Sequence, residues 1–186
     1  MEEPKRVTLE DDTRETVVQL VKHRIPWLFI GLIGGVTLPV ISSRFQELLA
    51  TNIPLVFFIP IIVYLSGAVA TQAETIYVRN MGRERVRFSN YLVKELFLGS
   101  VLGTIFGVTI GIFSYFWLKS ADISLTVGLA MFVNVSLAPI IGITVARILQ
   151  KERQDPALGA GPFSTVIQDF ISLLIYLIIA TLIIFR

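Results

Sequence analysis

The stretch GPFSTVIQDFISLLIYLIIATLIIF, Gly161 to Phe185, contains one charged residue, Asp169. About 20 apolar residues suffice to cross a bilayer as a helix, so this stretch is expected to span one. A carboxylate at the centre of such a helix costs about 2.5–3.5 kcal/mol to insert. On a helix, Thr165, Asp169, Ser172 and Tyr176 follow one another at steps of four, three and four. That spacing places them on one polar stripe, which is expected to face protein or water rather than lipid. Hydroxyl groups alone read as glue between helices. The aspartate shifts the reading, because an intramembrane acid marks an ion or proton path.

The rest of the chain has the same character. Of its 186 residues 54% are hydrophobic and only 16% charged, against roughly 25% charged in soluble domains. The sequence is therefore that of an all-α integral membrane protein. Four further spans are expected before the last: Pro26 to Leu49, Ile53 to Val78, Tyr91 to Leu118 and Ile123 to Leu149. Pro26 suits a first helical turn. In the third span Gly99, Gly103, Gly107 and Gly111 form a four-residue glycine ladder, and in the fourth Ala130, Asn134, Ala138, Gly142 and Ala146 repeat the spacing with small side chains. Such ladders let helix backbones approach closely, and Asn134 suits a hydrogen bond between helices. In the second span Gly67, Thr71 and Thr75 share a face, and Glu74 is expected at the mouth of the span or paired with an arginine. Residues 1–24 mix acids and bases without the apolar core of a signal peptide. They read as a cytosolic leader, either solvated or, from Leu9 onward, a short amphipathic helix on the membrane surface. Residues 25–186 form the five-helix domain.

Lysine and arginine orient the spans. Of the 16 basic residues, all but Arg44, Lys119 and Arg186 fall in the leader or around the loops after the second and fourth spans. This places the N-terminus in the cytoplasm and the C-terminus outside. Basic residues spent on topology give no case for nucleic-acid binding. The absence of cysteine excludes disulfide and thiol chemistry, and the single histidine excludes a multi-histidine metal site.

At about 1.5 Å per residue, Thr71 and Asp169 both lie roughly 10–12 Å from the cytosolic ends of their helices and are expected to meet. The donors offered are oxygen only, which suits hard cations rather than soft metals. One carboxylate is few for an all-protein Ca²⁺ cage, whereas Mg²⁺ keeps most of its waters and is often held by one or two carboxylates. A twofold dimer would bring two copies of Asp169 to one axis, making a site for a hydrated divalent ion. Asp155, directly before Pro156, reads as an N-cap and equally as an acidic ligand at the cytosolic mouth. Three other readings stand beside the divalent-cation channel or transporter. One is a structural or assembly subunit whose stripe only packs helices. Another is a proton-coupled divalent-cation carrier. The third, an intramembrane aspartyl protease, needs two facing acids, and span two offers Glu74 instead of an aspartate, so no enzyme is expected.

The segments RIPWLFIGL, LSGAVATQAETIYVR and above all DPALGAGPFSTVIQDF resemble the transmembrane domain of the MgtE family of magnesium channels and transporters. In the last segment Asp155, Pro156, Ala157, Gly161, Pro162, Thr165 and Asp169 match the family pattern, and the resemblance covers nearly all of residues 24 to 186. It implies a multi-pass protein of the cell membrane, a homodimer in contact with lipid, with the pore on the twofold axis between spans two and five. It further implies Asp169 as the central Mg²⁺ ligand, with Gly67, Thr71 and Thr75 lining the pore. The chain departs from the pattern at Ser66, Gly67 and Ala68, where the family usually has Gly-Gly-Asn, and at Val166, where a second threonine is usual. Family members commonly carry a cytosolic N-terminal domain and paired CBS domains, and a 24-residue leader is neither. The expectation is an excised pore domain or a short form gated otherwise, with a separate regulatory protein as a candidate partner.

Overall fold

The computed structural model describes residues 16–80, 87–151 and 156–186, with the backbone alone over 156–160. Every element among them is a helix: α1 (Val17–Arg44), α2 (Gln46–Thr51), α3 (Pro54–Asn80), α4 (Phe88–Leu118), α5 (Ala121–Lys151) and α6 (Pro156–Ile184). Five of these are long and apolar enough to cross a membrane, α2 being the exception. The outward faces are oily, as hydrocarbon demands: Phe97 is 73% exposed and Leu182 68%.

Helix α5 is the central post. Its buried face runs from Ile123 to Leu149 and includes Ala130, Asn134, Ala138, Gly142 and Ala146. Lipid gives apolar helices no hydrophobic reason to associate, so close packing has to hold them. The glycine ladder of α4 supplies it. A Cβ on Gly99 would lie 2.6 Å from the carbonyl oxygen of Ser136, one on Gly103 2.6 Å from that of Phe132, and one on Gly107 2.7 Å from that of Gly128. At Gly111 the neighbour is the Ser124 carbonyl at 3.5 Å, and the Ser124 hydroxyl donates to the Gly111 carbonyl at 2.6 Å. Each step of four up α4 is matched by a step of four down α5, so the pair is antiparallel and in register along its length. The small-residue stripe of α5 noted in the sequence faces elsewhere: Gly142 packs on the backbone of Ala70 in α3. A second stripe, Ser124, Gly128, Phe132 and Ser136, meets the ladder. Phe132 hid it, because it meets the ladder through its backbone and Cβ.

The first span differs from its expected bounds. Helix α1 begins at Val17, where the Thr16 N–H donates to the Gln19 side-chain oxygen at 2.9 Å. Pro26 therefore lies inside the helix and not in its first turn. The leader's amphipathic helix falls largely on residues outside those described, and its described part, from Val17, is continuous with α1. At the other end the helix breaks at Phe45, whose φ of −108° and ψ of 22° leave the helical region. The Phe45 N–H turns to the Ser42 carbonyl at 3.0 Å. The break lets α2 put Leu48, 2% exposed, into the core with Leu55 and Phe58. A straight continuation would have kept that leucine on the outside. The α4–α5 connection is two residues, and its Lys119 takes the left-handed conformation at φ 55° as the helix C-cap.

Gly103→Ala should destabilise the protein, because the new methyl meets backbone. The expected cost is about 1–3 kcal/mol, read as a lower melting temperature in detergent. Gly31→Ala, at a position with nothing within 4 Å of the added carbon, should melt with the wild type. Equal melting of both variants would show that the ladder does not hold α4.

Candidate functional site

Helix α6 touches the others on different sides, and this divides its polar residues into two sets. Helix α1 runs along it in parallel. Gly34 gives way to Val166, whose methyl groups occupy the space a Gly34 side chain would need. Trp27 joins Phe163 and Ile167 in a small apolar cluster with Val145 and Leu149 of α5. Helix α3 runs antiparallel on another side. Between α1, α3 and α6 a groove stays open.

This groove has a volume of about 530 Å³. Gly67 and Thr71 of α3 line it together with Thr165 and Asp169 of α6, and α1 contributes Leu38 and Ser42. A second recess of about 420 Å³, between α1 and the start of α6, shares Leu38, Thr165 and Asp169. Asp169 is thus the one charged residue among the three at which both recesses meet. It is half-buried, and among the described residues no cation or hydrogen-bond donor reaches it. Gly67 lies opposite: a Cβ there would come within 3.9 Å of Asp169 Oδ1, so the missing side chain keeps the carboxylate open to the groove. The Thr165 hydroxyl donates to the Gly161 carbonyl at 2.8 Å, which leaves its oxygen lone pairs available as acceptors. Among mostly apolar walls that include Ile59, Val63 and Leu173, the groove offers a carboxylate, hydroxyl oxygens and a bare backbone, donors suited to a hard cation or to its water shell. Among the described residues no group of three or more His, Cys, Asp or Glu could hold a metal ion. Among the described residues, the groove of a single chain therefore offers no complete cage for a bare divalent ion.

The predicted site residues distribute as follows. Gly67, Thr71, Thr165 and Asp169 come together in the groove. Thr75 is exposed one turn further along α3 and does not line it. Asp155 lies outside the described residues, although α6 does begin at Pro156. The single stripe from Thr165 to Tyr176 does not hold together. Thr165 and Asp169 face the groove, whereas Ser172 and Tyr176 are fully buried inside the chain. The Ser172 hydroxyl accepts from Gln168 Nε2 at 2.9 Å, and its carbonyl accepts from Asn134 Nδ2 at 3.2 Å. The Tyr176 hydroxyl donates to the Leu55 carbonyl at 2.6 Å. Asn134 is accordingly the bond between helices that the sequence suggested. Glu74 is corrected as well. It is 6% exposed and faces Ser164 of α6, and among the described residues it pairs with no arginine. The α1 residues of the groove escaped the sequence reading, though Leu38 and Ser42, one turn apart on a helix, were the available signal.

A family model described as MgtE, divalent cation transporter, matches residues 59–179. The magnesium transporter MgtE of Bacillus subtilis is 31% identical over 180 residues, covering 92% of this chain and 39% of that protein. Its counterpart in Enterococcus faecalis is 28% identical over 175 residues with the same coverages, and that of Thermus thermophilus is 26% identical over 169 residues. The chain thus spans about 39% of the length of the first two.

The buried bonds of α6 should separate by cost. Tyr176→Phe removes one donor while the Leu55 carbonyl keeps its place in a helix, at about 0.5–1.5 kcal/mol. Ser172→Ala strands the Gln168 amide and should cost more, about 1–3 kcal/mol. Thermal unfolding in detergent checks the order, and the reverse order would mean that Gln168 finds another acceptor.

Proposed function

The chain belongs to the MgtE family of divalent cation transporters, and from that premise we propose that it carries a hydrated divalent cation, Mg²⁺ before others, along an axis between two copies of itself. The observation that carries this is the groove: an unpartnered Asp169 carboxylate, a glycine opposite it and threonine oxygens beside it, open on the side away from α5. A lone carboxylate facing lipid is costly. A second copy related by a twofold axis would cover the groove and bring its own Asp169 to the same line. The magnesium transport named for the Bacillus, Enterococcus and Thermus relatives fits this donor set.

The physics of such a site is simple. Two carboxylates about 8 Å apart repel by about 2 kcal/mol at an effective dielectric of about 20. A dication between them replaces that repulsion with two attractions. Mg²⁺ gives up its waters reluctantly, so hydroxyls such as Thr71 and Thr165 would hydrogen-bond to its water shell rather than to the metal. Recognition of the hydrated ion by size and charge needs few protein ligands, which matches what the chain supplies. In this reading Asp155 stands at the cytosolic mouth, the N-terminus lies in the cytoplasm and the C-terminus outside.

Single cysteines test the assembly cleanly, because the chain has none of its own. Cysteines at Thr71 and Thr165 should cross-link between copies in native membranes. One at Arg186 should react with an impermeant thiol reagent from outside and one at Gly82 should not. Cross-linking confined to α4 would remove the axis from this face.

Asp169→Asn tests the centre. It keeps size and hydrogen bonding but removes both charges from the pair. The variant should fold and dimerise, and gain stability in ion-free buffer. In proteoliposomes its Mg²⁺ flux should fall by roughly tenfold or more, about 1.4 kcal/mol or above. A folded Asp169→Asn protein that carries Mg²⁺ at the wild-type rate sinks the proposal. One that fails to fold makes the residue structural.

A further inference from the structure

The residues of α6 that turn away from the groove form a line of their own. Ser164, Gln168, Ser172 and Tyr176 recur at steps of four and are 2%, 1%, 0% and 0% exposed. They lie between α3 and α5, inside one chain, and Glu74 of α3 closes the line at the end where α3 finishes. At about 1.5 Å per residue, Glu74 is roughly 9 Å from the last residue of its helix. The line has donors, and most are already used, the Ser164 hydroxyl proton excepted. Gln168 Nε2 goes to the Ser172 hydroxyl, Asn134 Nδ2 to the Ser172 carbonyl and the Tyr176 hydroxyl to Leu55. Oxygens are left over. Glu74 Oε2, Ser164 Oγ and Gln168 Oε1 have no hydrogen-bond partner, and neither has Asn134 Oδ1 deeper in. The Ser164 hydroxyl faces the Glu74 carboxyl without meeting the geometry of a full hydrogen bond. Gln168 stands one helical turn beyond Ser164 on the same face.

Each buried acceptor without a partner costs about 1–3 kcal/mol, and an isolated buried carboxylate costs more. Three species could relieve the group. A proton on Glu74 supplies one donor and leaves the amide oxygen unsatisfied. A divalent cation meets a single carboxylate and leaves a net positive charge buried. A monovalent hard cation neutralises the carboxylate and takes hydroxyl and amide oxygens as further ligands. We propose that Glu74, Ser164 and Gln168 form a buried alkali-cation site within each chain, separate from the Asp169 groove, with Na⁺ as its ion. The site stands on a different face of α6 and needs no second copy. Its failure would leave the divalent transport proposed above untouched.

The experiment uses the full chain in nanodiscs with ²²Na⁺ and, in parallel, melting curves in sodium chloride against choline chloride. The wild type should bind Na⁺ saturably and melt higher in sodium, as ligand linkage requires. Asp169→Asn should keep Na⁺ binding within about twofold, whereas Glu74→Gln should weaken it at least about tenfold. Ser164→Ala, a small change that removes one ligand, should weaken it several-fold, and it carries the test should Glu74→Gln fail to fold. Absence of saturable Na⁺ binding by the wild type overturns the proposal. So does binding that Ser164→Ala and Glu74→Gln leave unchanged, which would be adventitious. Loss of binding in Asp169→Asn with retention in Glu74→Gln would overturn it by assigning the ion to the groove.

Discussion

Close approach of helix backbones at residues with little or no side chain is what the rest of this structure depends on. Inside a bilayer the solvent is as apolar as leucine, so a helix gains little by hiding an oily face. What it gains must come from dispersion contacts and polar bonds at short range, and both need small residues at the seam. Helix α5 meets α4 along the glycine ladder, α3 where Gly142 lies on Ala70, and α6 through Asn134 and Ser172. With α5 committed to three neighbours, α1 is left at the periphery. It has no buried residue and is held mainly by Gly34 giving way to Val166 on α6. The groove is the space that this arrangement leaves between α1, α3 and α6.

Much of this was legible because membranes simplify the reading. Every backbone polar group in hydrocarbon must be satisfied within its own segment, so long apolar stretches are helices, and all five expected spans are present. Their ends were less legible. Hydropathy marks where a helix leaves the lipid and not where it stops, which is why α1 starts at Val17 and α3 runs on to Asn80. The break at Phe45 depends on a burial site for Leu48 that only tertiary packing creates. Pro26 fits the helix interior because one missing N–H is a local loss in a helix that long.

Four of the expected site residues, Gly67, Thr71, Thr165 and Asp169, line one groove, but their separation from Ser172 and Tyr176 was not legible. A helical projection puts Thr165, Asp169, Ser172 and Tyr176 on one side of α6, but which neighbour covers each turn is not a property of α6. Helices α3 and α5 cover it so that Tyr176 meets Leu55 of α3 and Ser172 meets Asn134 of α5, while two turns earlier the same side is uncovered. Glu74 was misplaced for the same reason. Its depth suggested a mouth residue, and what buries it is the small Ser164 opposite. Val166 looked like a lost polar residue in the family pattern, and it is the contact that docks α1.

The division of α6 bears on how one helix can serve both of the ion sites proposed above. Successive residues turn by about 100°, so Gln168 and Asp169 are neighbours in sequence and look into different surroundings. Asp169 looks into a groove where water or a second copy can balance its charge. Gln168 looks into a closed interior, where its amide nitrogen is satisfied within the chain by Ser172. On this face α6 itself carries an amide, and the acid that reaches the same buried line, Glu74, comes from α3 near its helix end. In the proposed reading, the open side holds a carboxylate because its counter-charge would be free to arrive and leave. Reversible association requires such a balance: an acid paired for good within the fold would bind nothing, and one with no route to a cation would not survive insertion. Gly67 keeps Asp169 between those limits by offering no side chain of its own.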